Sequence, residues 1–116
     1  MFYTLSQVAL GGAVGSVLRY ATVTGLGAPI GTALVNVLGS FLIGILYIAL
    51  SKTALSPLLI TGVLGGFTTF SAFSLDTLKL WQSGQIAQAA AYTLASVALS
   101  LIAVALGAAL ARGALA

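Results

Sequence analysis

Three long stretches without a charged side chain dominate this 116-residue sequence and restrict what it can fold into. They span residues 20–51, 53–75 and 80–111, because the chain has only five ionisable side chains: Arg19, Lys52, Asp76, Lys79 and Arg112. Charged residues make up 4% of the chain, whereas a soluble domain carries about 25%. Each stretch exceeds the roughly 20 apolar residues that a transmembrane helix needs. The sequence therefore predicts an integral membrane protein.

The same inventory of side chains excludes most catalytic chemistry. The chain has no histidine, no cysteine and one acidic residue, so it lacks the groups for a paired-carboxylate hydrolase, a histidine-activated nucleophile or a cysteine and histidine metal site. Its net charge of +3 comes from four cations far apart in the chain, which does not favour nucleic-acid binding. We therefore expect a membrane protein that is not an enzyme.

Four hydrophobic segments with short connections form one predicted domain over residues 1–116. The segments cover, in order, residues 2–24, 31–50, 56–84 and 85–112. Gly27 and Pro29 mark the first connection, and Ser56 followed by Pro57 is typical of an N-cap and the first helical residue of segment 3. The predicted fold is an all-α integral membrane protein with four transmembrane helices.

Segment 3 is predicted to be broken near its middle. Gly62, Gly65 and Gly66 precede the β-branched pair Thr68 and Thr69, so helix propensity is lowest there. Backbone groups that a break frees cannot face lipid; they must be buried in protein or line a hydrated cavity, where carbonyls can face a cation. Alternatively, the glycines only allow neighbouring helices to approach closely. The residues alone leave both interpretations open.

Polar side chains recur at i+4 spacing in two segments and so form a track along each helix. The tracks contain Thr32, Asn36 and Ser40 in segment 2, and Gln88, Tyr92, Ser96 and Ser100 in segment 4. Hydroxyls at this spacing often serve helix packing by bonding to a carbonyl one turn earlier. Each track is therefore compatible with packing or with a polar path through the membrane.

Segment 3 also carries Phe67, Phe70 and Phe73 at i+3 spacing, with Ser71 between the last two. Such a stripe is ordinarily core packing or lipid contact. Ring edges nevertheless carry partial positive charge, so these rings can also face an anion. Arg19 follows a face of small residues in segment 1, where it either extends to the interface or serves a function within the membrane.

Three motif blocks resemble the Fluc (CrcB-type) family of small fluoride channels. The blocks are Gly11-Gly12-x-x-Gly15-x-x-x-Arg19-Tyr20, Gly31-Thr32-x-x-Val35-Asn36-x-x-Gly39-Ser40-Phe41-x-x-Gly44 and Gly62-x-x-Gly65-Gly66-Phe67-Thr68-Thr69-Phe70-Ser71-x-Phe73-Ser74. Their order and spacing match the family over residues 11–74, whereas segment 4 matches only through Tyr92 and the serines that follow it.

The resemblance implies an antiparallel (dual-topology) homodimer with two pores in the inner (plasma) membrane. Fluoride would leave the cell passively through these pores, which protects the cell from fluoride toxicity. The implied pore positions are Phe70, Phe73, Asn36, Thr32, Tyr92, Ser96, Ser100 and Ser71, with Arg19 near the aqueous vestibule. The resemblance also implies a structural Na+ at the dimer interface, held by the backbone carbonyls of Gly65 and Thr68 from each subunit.

Two other classes of membrane protein compete with a channel. A small four-helix multidrug exporter has a similar length but needs a carboxylate within the membrane for proton coupling. The only acid is Asp76, which we expect to form an ion pair with Lys79 at a helix end. The exporter is therefore disfavoured. A structural membrane protein would leave the predicted break and the polar tracks without a purpose.

Overall fold

The structure is a computed structural model that describes residues 1–115. These residues form α1 (Phe2–Leu26), α2 (Ile30–Leu50), a π-helical segment (Pro57–Leu64), α3 (Gly65–Phe67), α4 (Phe70–Gln82) and α5 (Ile86–Leu115). The predicted all-α class is confirmed. Gly27 ends α1 with a φ of 81° and Gly84 follows α4 with a φ of 82°, a left-handed conformation that glycine adopts without a steric penalty.

Three helical segments are long and apolar enough to cross a membrane, namely Ile30–Leu50, Pro57–Gln82 and Ile86–Leu115. The outer surface of the molecule is also apolar, because large side chains such as Leu10, Val17, Leu94 and Leu110 are exposed. The molecule is therefore a membrane protein. With 25 residues, α1 is long enough for a fourth crossing, although its glycines, hydroxyl residues and Gln7 make it less apolar.

Glycines allow the helices to pack in two pairs. In the first pair, α1 lies along the π-helical segment and α3. A Cβ atom at Gly11 would overlap the carbonyl oxygen of Leu58, and one at Gly15 would overlap that of Val63. Backbones therefore meet directly here, which only residues without a side chain permit.

The second pair consists of α2 and α5, which have the most extensive contact in the molecule. Gly44 lies against the carbonyl of Val104, and Gly107 lies against that of Phe41. This close approach sets the distance between the two polar tracks predicted from the sequence.

The start of segment 3 differs from the sequence prediction. The eight residues Pro57–Leu64 are π-helical, which the sequence did not indicate. Ser56 occupies the N-cap position, but its backbone is already helical and its side chain makes no capping hydrogen bond. The hydroxyl cap predicted at Ser56 is therefore wrong, whereas Pro57 does begin the helical segment.

Regular helical structure stops for two residues between α3 and α4. Thr68 has φ −88° and ψ 155°, and Thr69 has φ −153° and ψ 119°, so both are extended. The hydroxyl of Thr69 accepts a hydrogen bond from the backbone N–H of Ala72 at 3.1 Å and thus caps the start of α4. The cap fixes where helical structure resumes.

Candidate functional site

A cavity of about 400 Å³ lies between α2, α4 and α5, beside the two extended threonines. Its polar lining comes from Asn36, Ser40, Thr68, Thr69, Ser96 and Ser100. These side chains project from three elements because the close packing of α2 on α5 brings the two polar tracks to one space. Its hydroxyl and amide groups can donate hydrogen bonds to a small anion.

Asn36 joins α2 to the extended residues through two hydrogen bonds. Its Nδ2 donates to the carbonyl oxygen of Thr69 at 2.9 Å, and the backbone N–H of Thr69 donates to its Oδ1 at 2.7 Å. A side-chain amide carries two N–H groups, so one donor is left after this pairing. Asn36 thus lines the cavity and also holds the backbone of segment 3, a contact that the sequence did not predict.

Phe70 and Phe73 line the cavity from α4 but have different surroundings. Phe73 is 8% exposed, whereas Phe70 is 76% exposed within the single chain. Their ring centroids are 5.4 Å apart in an edge contact, and Phe73 also lies 5.3 Å from the ring of Tyr92 on α5. One ring is therefore held inside the molecule, and the other projects from it.

Asp76 is buried and bonded to Tyr92, which corrects two expectations. Its side chain is 8% exposed, and its Oδ2 accepts a hydrogen bond from the Tyr92 hydroxyl at 3.0 Å. The predicted pairing with Lys79 is wrong because the side of α4 that carries Asp76 packs towards α5, while Lys79 is exposed. Asp76 also lies inside the apolar span Pro57–Gln82. The expectation that the membrane-spanning segments contain no carboxylate is therefore wrong, and it no longer disfavours an exporter.

Three buried polar atoms have no hydrogen-bond partner within the described residues: the hydroxyls of Thr32 and Ser96, and the Nε of Arg19. Ser96 lines the cavity, and its buried hydroxyl is not bonded to another protein group. Thr32 is 1% exposed and is buried in the interior of the molecule, while Arg19 is half-buried on α1.

The cavity brings together some of the predicted site residues and leaves others apart. It includes Asn36, Phe70, Phe73, Ser96, Ser100 and Thr68. Arg19, Thr32, Ser71, Tyr92 and Gly65 are not among its lining residues. Tyr92 contacts it indirectly through Phe73, and the Ser71 hydroxyl lies 3.3 Å from that of Thr69. Gly65 is exposed on α3, one turn before the extended residues.

Sequence reasoning missed Thr69 and Asp76 as members of this region. Both left a signal in the sequence. Thr69 directly precedes a run with helical spacing, the usual place for a capping hydroxyl. Asp76 continues the i+3 series of Phe67, Phe70 and Phe73, so it lies close to the same side of the helix.

Comparison with known proteins identifies a family over nearly the whole chain. Residues 6–108 match the family described as CrcB-like protein, Camphor Resistance (CrcB). The chain is 50% identical to a protein of Cereibacter sphaeroides named fluoride-specific ion channel FluC, with 97% of this chain and 98% of that protein covered. Proteins of the same name from Paracoccus denitrificans and Rhizobium meliloti are 50% and 52% identical, over 97% and 90% of this chain and 98% and 93% of their own lengths.

Proposed function

This chain belongs to the CrcB-like family, and on that premise we propose that it is a fluoride-selective channel. It lets fluoride leave the cell passively across the inner (plasma) membrane and so limits fluoride toxicity, and it catalyses no reaction. The observation that carries the proposal is the cavity beside Thr68 and Thr69, where an amide, several hydroxyls and two aromatic rings converge. The names of the relatives support fluoride as the ion.

The lining of the cavity suits an anion that must pass through without being trapped. Fluoride is small and strongly hydrated, so a pore has to replace its water with several hydrogen-bond donors. Asn36, Ser96 and Ser100 supply neutral donors, and the edges of Phe70 and Phe73 add weak positive potential. Neutral donors bind the ion loosely enough for release.

The exposure of Phe70 and Gly65 supports assembly with a second copy of the chain. Phe70 is 76% exposed. Gly65 is also exposed within the apolar span Pro57–Gln82, and the N–H of Thr69, the usual helical partner of its carbonyl, bonds to Asn36 instead. Backbone polar groups cannot face lipid, so protein has to cover this surface. In our proposal, segment 3 crosses the membrane as a broken helix, and a second copy in the opposite orientation packs against the break, which yields two equivalent pores.

A sodium ion at the centre of this dimer completes the proposed site. The extended backbones of Thr68 and Thr69 make carbonyl oxygens of segment 3 available there, and carbonyl oxygens are suitable ligands for a monovalent cation. The carbonyls of Gly65 and Thr68 from both copies would hold it. When bound, sodium raises the electrostatic potential around both pores and offsets part of the cost of dehydrating fluoride.

Purified protein in liposomes should release fluoride more than an order of magnitude faster than chloride. The rate should not change when the proton gradient is abolished, because a passive channel needs no proton coupling. An ion-selective electrode measures both fluxes, with protein-free liposomes as the control. Equal release of the two halides contradicts selectivity. Flux that requires a proton gradient would instead assign Asp76 the role of the proton-binding carboxylate in an exporter.

Orientation in the membrane gives a second test. If all four segments cross, Arg19 and Lys79 lie on one side and Lys52 and Arg112 on the other, so the positive charges give no preferred orientation. Inserting two lysines after Lys52 should place that loop in the cytoplasm and abolish most flux, because only one orientation is then made. A variant biased the other way should restore flux when both are coexpressed.

Cysteine labelling of the loop from either side of the membrane reports the orientation of each variant. Two glutamines inserted at the same position are the matched control, since they lengthen the loop without adding charge. A strongly oriented variant that remains fully active would contradict the antiparallel dimer.

A further inference from the structure

We propose that the side chains of Asn36 and Thr69 hold the sodium site open by capturing the two backbone amides that would otherwise bond to its carbonyl ligands. In this role both residues are positioning residues, because they act on the ion through the carbonyls of Gly65 and Thr68. The inference rests on the proposed sodium site and explains why these two carbonyls lack the backbone N–H that a continuous helix would give them.

The first captured amide belongs to Thr69. In an α-helix each N–H donates to the carbonyl four residues earlier, so the N–H of Thr69 would donate to Gly65. It donates instead to the Oδ1 of Asn36 at 2.7 Å. The carbonyl of Gly65 therefore loses its helical partner to a side chain on α2.

The second captured amide belongs to Ala72. Its N–H would donate to the carbonyl of Thr68 if the helix were continuous. It donates instead to the hydroxyl oxygen of Thr69 at 3.1 Å. The carbonyl of Thr68 therefore also loses its helical partner, in this case to the capping hydroxyl of Thr69 in segment 3 itself.

Neighbouring hydrogen bonds show that Gly65 is the first residue here whose carbonyl lacks its helical N–H partner. The carbonyl of Leu64, one residue earlier, still accepts the N–H of Thr68 at 3.1 Å. The orientation of the Asn36 amide is also determined, because its Nδ2 donates to the Thr69 carbonyl at 2.9 Å and its Oδ1 must then face the Thr69 N–H. Asn36 is therefore held in the position that captures this amide.

The test is the sodium dependence of dimer stability, measured without any flux. Purified protein is heated at increasing sodium concentration, with N-methylglucamine keeping the ionic strength constant, and the unfolding temperature and dimer fraction are recorded. Thr69→Val replaces the hydroxyl with a methyl group of similar size and returns the Ala72 N–H to Thr68. Half-maximal stabilisation should then require about tenfold more sodium, since a competing hydrogen bond must be broken for the ion to bind.

Asn36→Leu should raise the sodium requirement to a similar extent, because it releases the Thr69 N–H to Gly65. Thr77→Val is the matched control: it makes the same isosteric change on α4, where the Thr77 hydroxyl only donates to the carbonyl of Phe73 at 2.9 Å. It should leave the sodium requirement unchanged. If Thr69→Val yields too little protein, Thr69→Ala removes the same oxygen without adding atoms.

Four outcomes decide the inference. A raised sodium requirement in the Thr69 and Asn36 variants, with a normal Thr77 variant, supports it. Wild-type sodium dependence in the Thr69 and Asn36 variants overturns it. Failure of these variants to dimerise at any sodium concentration also overturns it, because a higher sodium concentration should restore binding at a weakened site. If sodium changes neither the unfolding temperature nor the dimer fraction of the wild-type protein, both the sodium site and the inference are wrong. The fluoride efflux assay then still tests separately whether the protein is a fluoride channel.

Discussion

Replacing Phe73 with isoleucine is expected to lower fluoride flux by more than an order of magnitude while the protein still folds. The Phe73 ring contacts both Phe70 and Tyr92, and the Tyr92 hydroxyl in turn donates a hydrogen bond to Asp76. Isoleucine keeps a hydrophobic side chain but loses the aromatic ring that lines the cavity and contacts Tyr92. Because the change is from one buried apolar side chain to another, the cost in unfolding free energy should stay at about 1–3 kcal/mol.

Phe70→Ile should lower flux without weakening the packing within the chain, since Phe70 is 76% exposed there. Any cost should fall on the contact with the second copy that we propose to cover Phe70. Phe2 is 86% exposed at the start of α1, remote in sequence from the cavity segments, so Phe2→Ile is the matched control and should conduct normally. Liposome efflux gives the flux, and size-exclusion chromatography checks the dimer. Normal flux in both Phe70→Ile and Phe73→Ile would show that the stripe only packs.

Replacing Gly107 with alanine is expected to prevent the native packing of α5 on α2. A Cβ atom at Gly107 would overlap the backbone carbonyl oxygen of Phe41, which cannot rotate away as a flexible side chain can. The helices must separate, at a cost of about 1–3 kcal/mol or more for an overpacked contact. The cavity lies between the same two helices, so flux should fall together with stability.

Gly113→Ala on the same helix is the control for Gly107→Ala. A Cβ atom at Gly113 meets no atom within 4 Å, so the substitution should be neutral or stabilise α5 by up to about 1 kcal/mol through helix propensity. Thermal unfolding of the purified dimer and liposome efflux compare the two variants. Equal destabilisation by both would mean that helix propensity, and not the contact with Phe41, controls this part of α5.

The sequence by itself determined the membrane character, the all-helical class and most helix bounds. Segment 2 was predicted at residues 31–50 and α2 spans Ile30–Leu50, because charge, hydropathy and chain-reversing glycines act locally. The three motif blocks likewise identified the family that the comparisons confirm. Periodicity also placed Asn36 and Ser40 on one side of α2, and Ser96 and Ser100 on one side of α5, since i+4 spacing depends only on helix geometry.

Only the tertiary structure decided which partners these side chains meet. Asn36 bonds to Thr69, 33 residues away in the chain, and Asp76 bonds to Tyr92 instead of its sequence neighbour Lys79. The 8% and 76% exposures of Phe73 and Phe70 also differ, although both belong to one i+3 stripe. In each case the outcome depends on how two helices pack against each other. For α2 and α5, the backbone contact of Gly107 with Phe41 sets how closely they approach. Local periodicity contains no information about that distance, so the captured amides of segment 3 become visible only once α2 is packed against it.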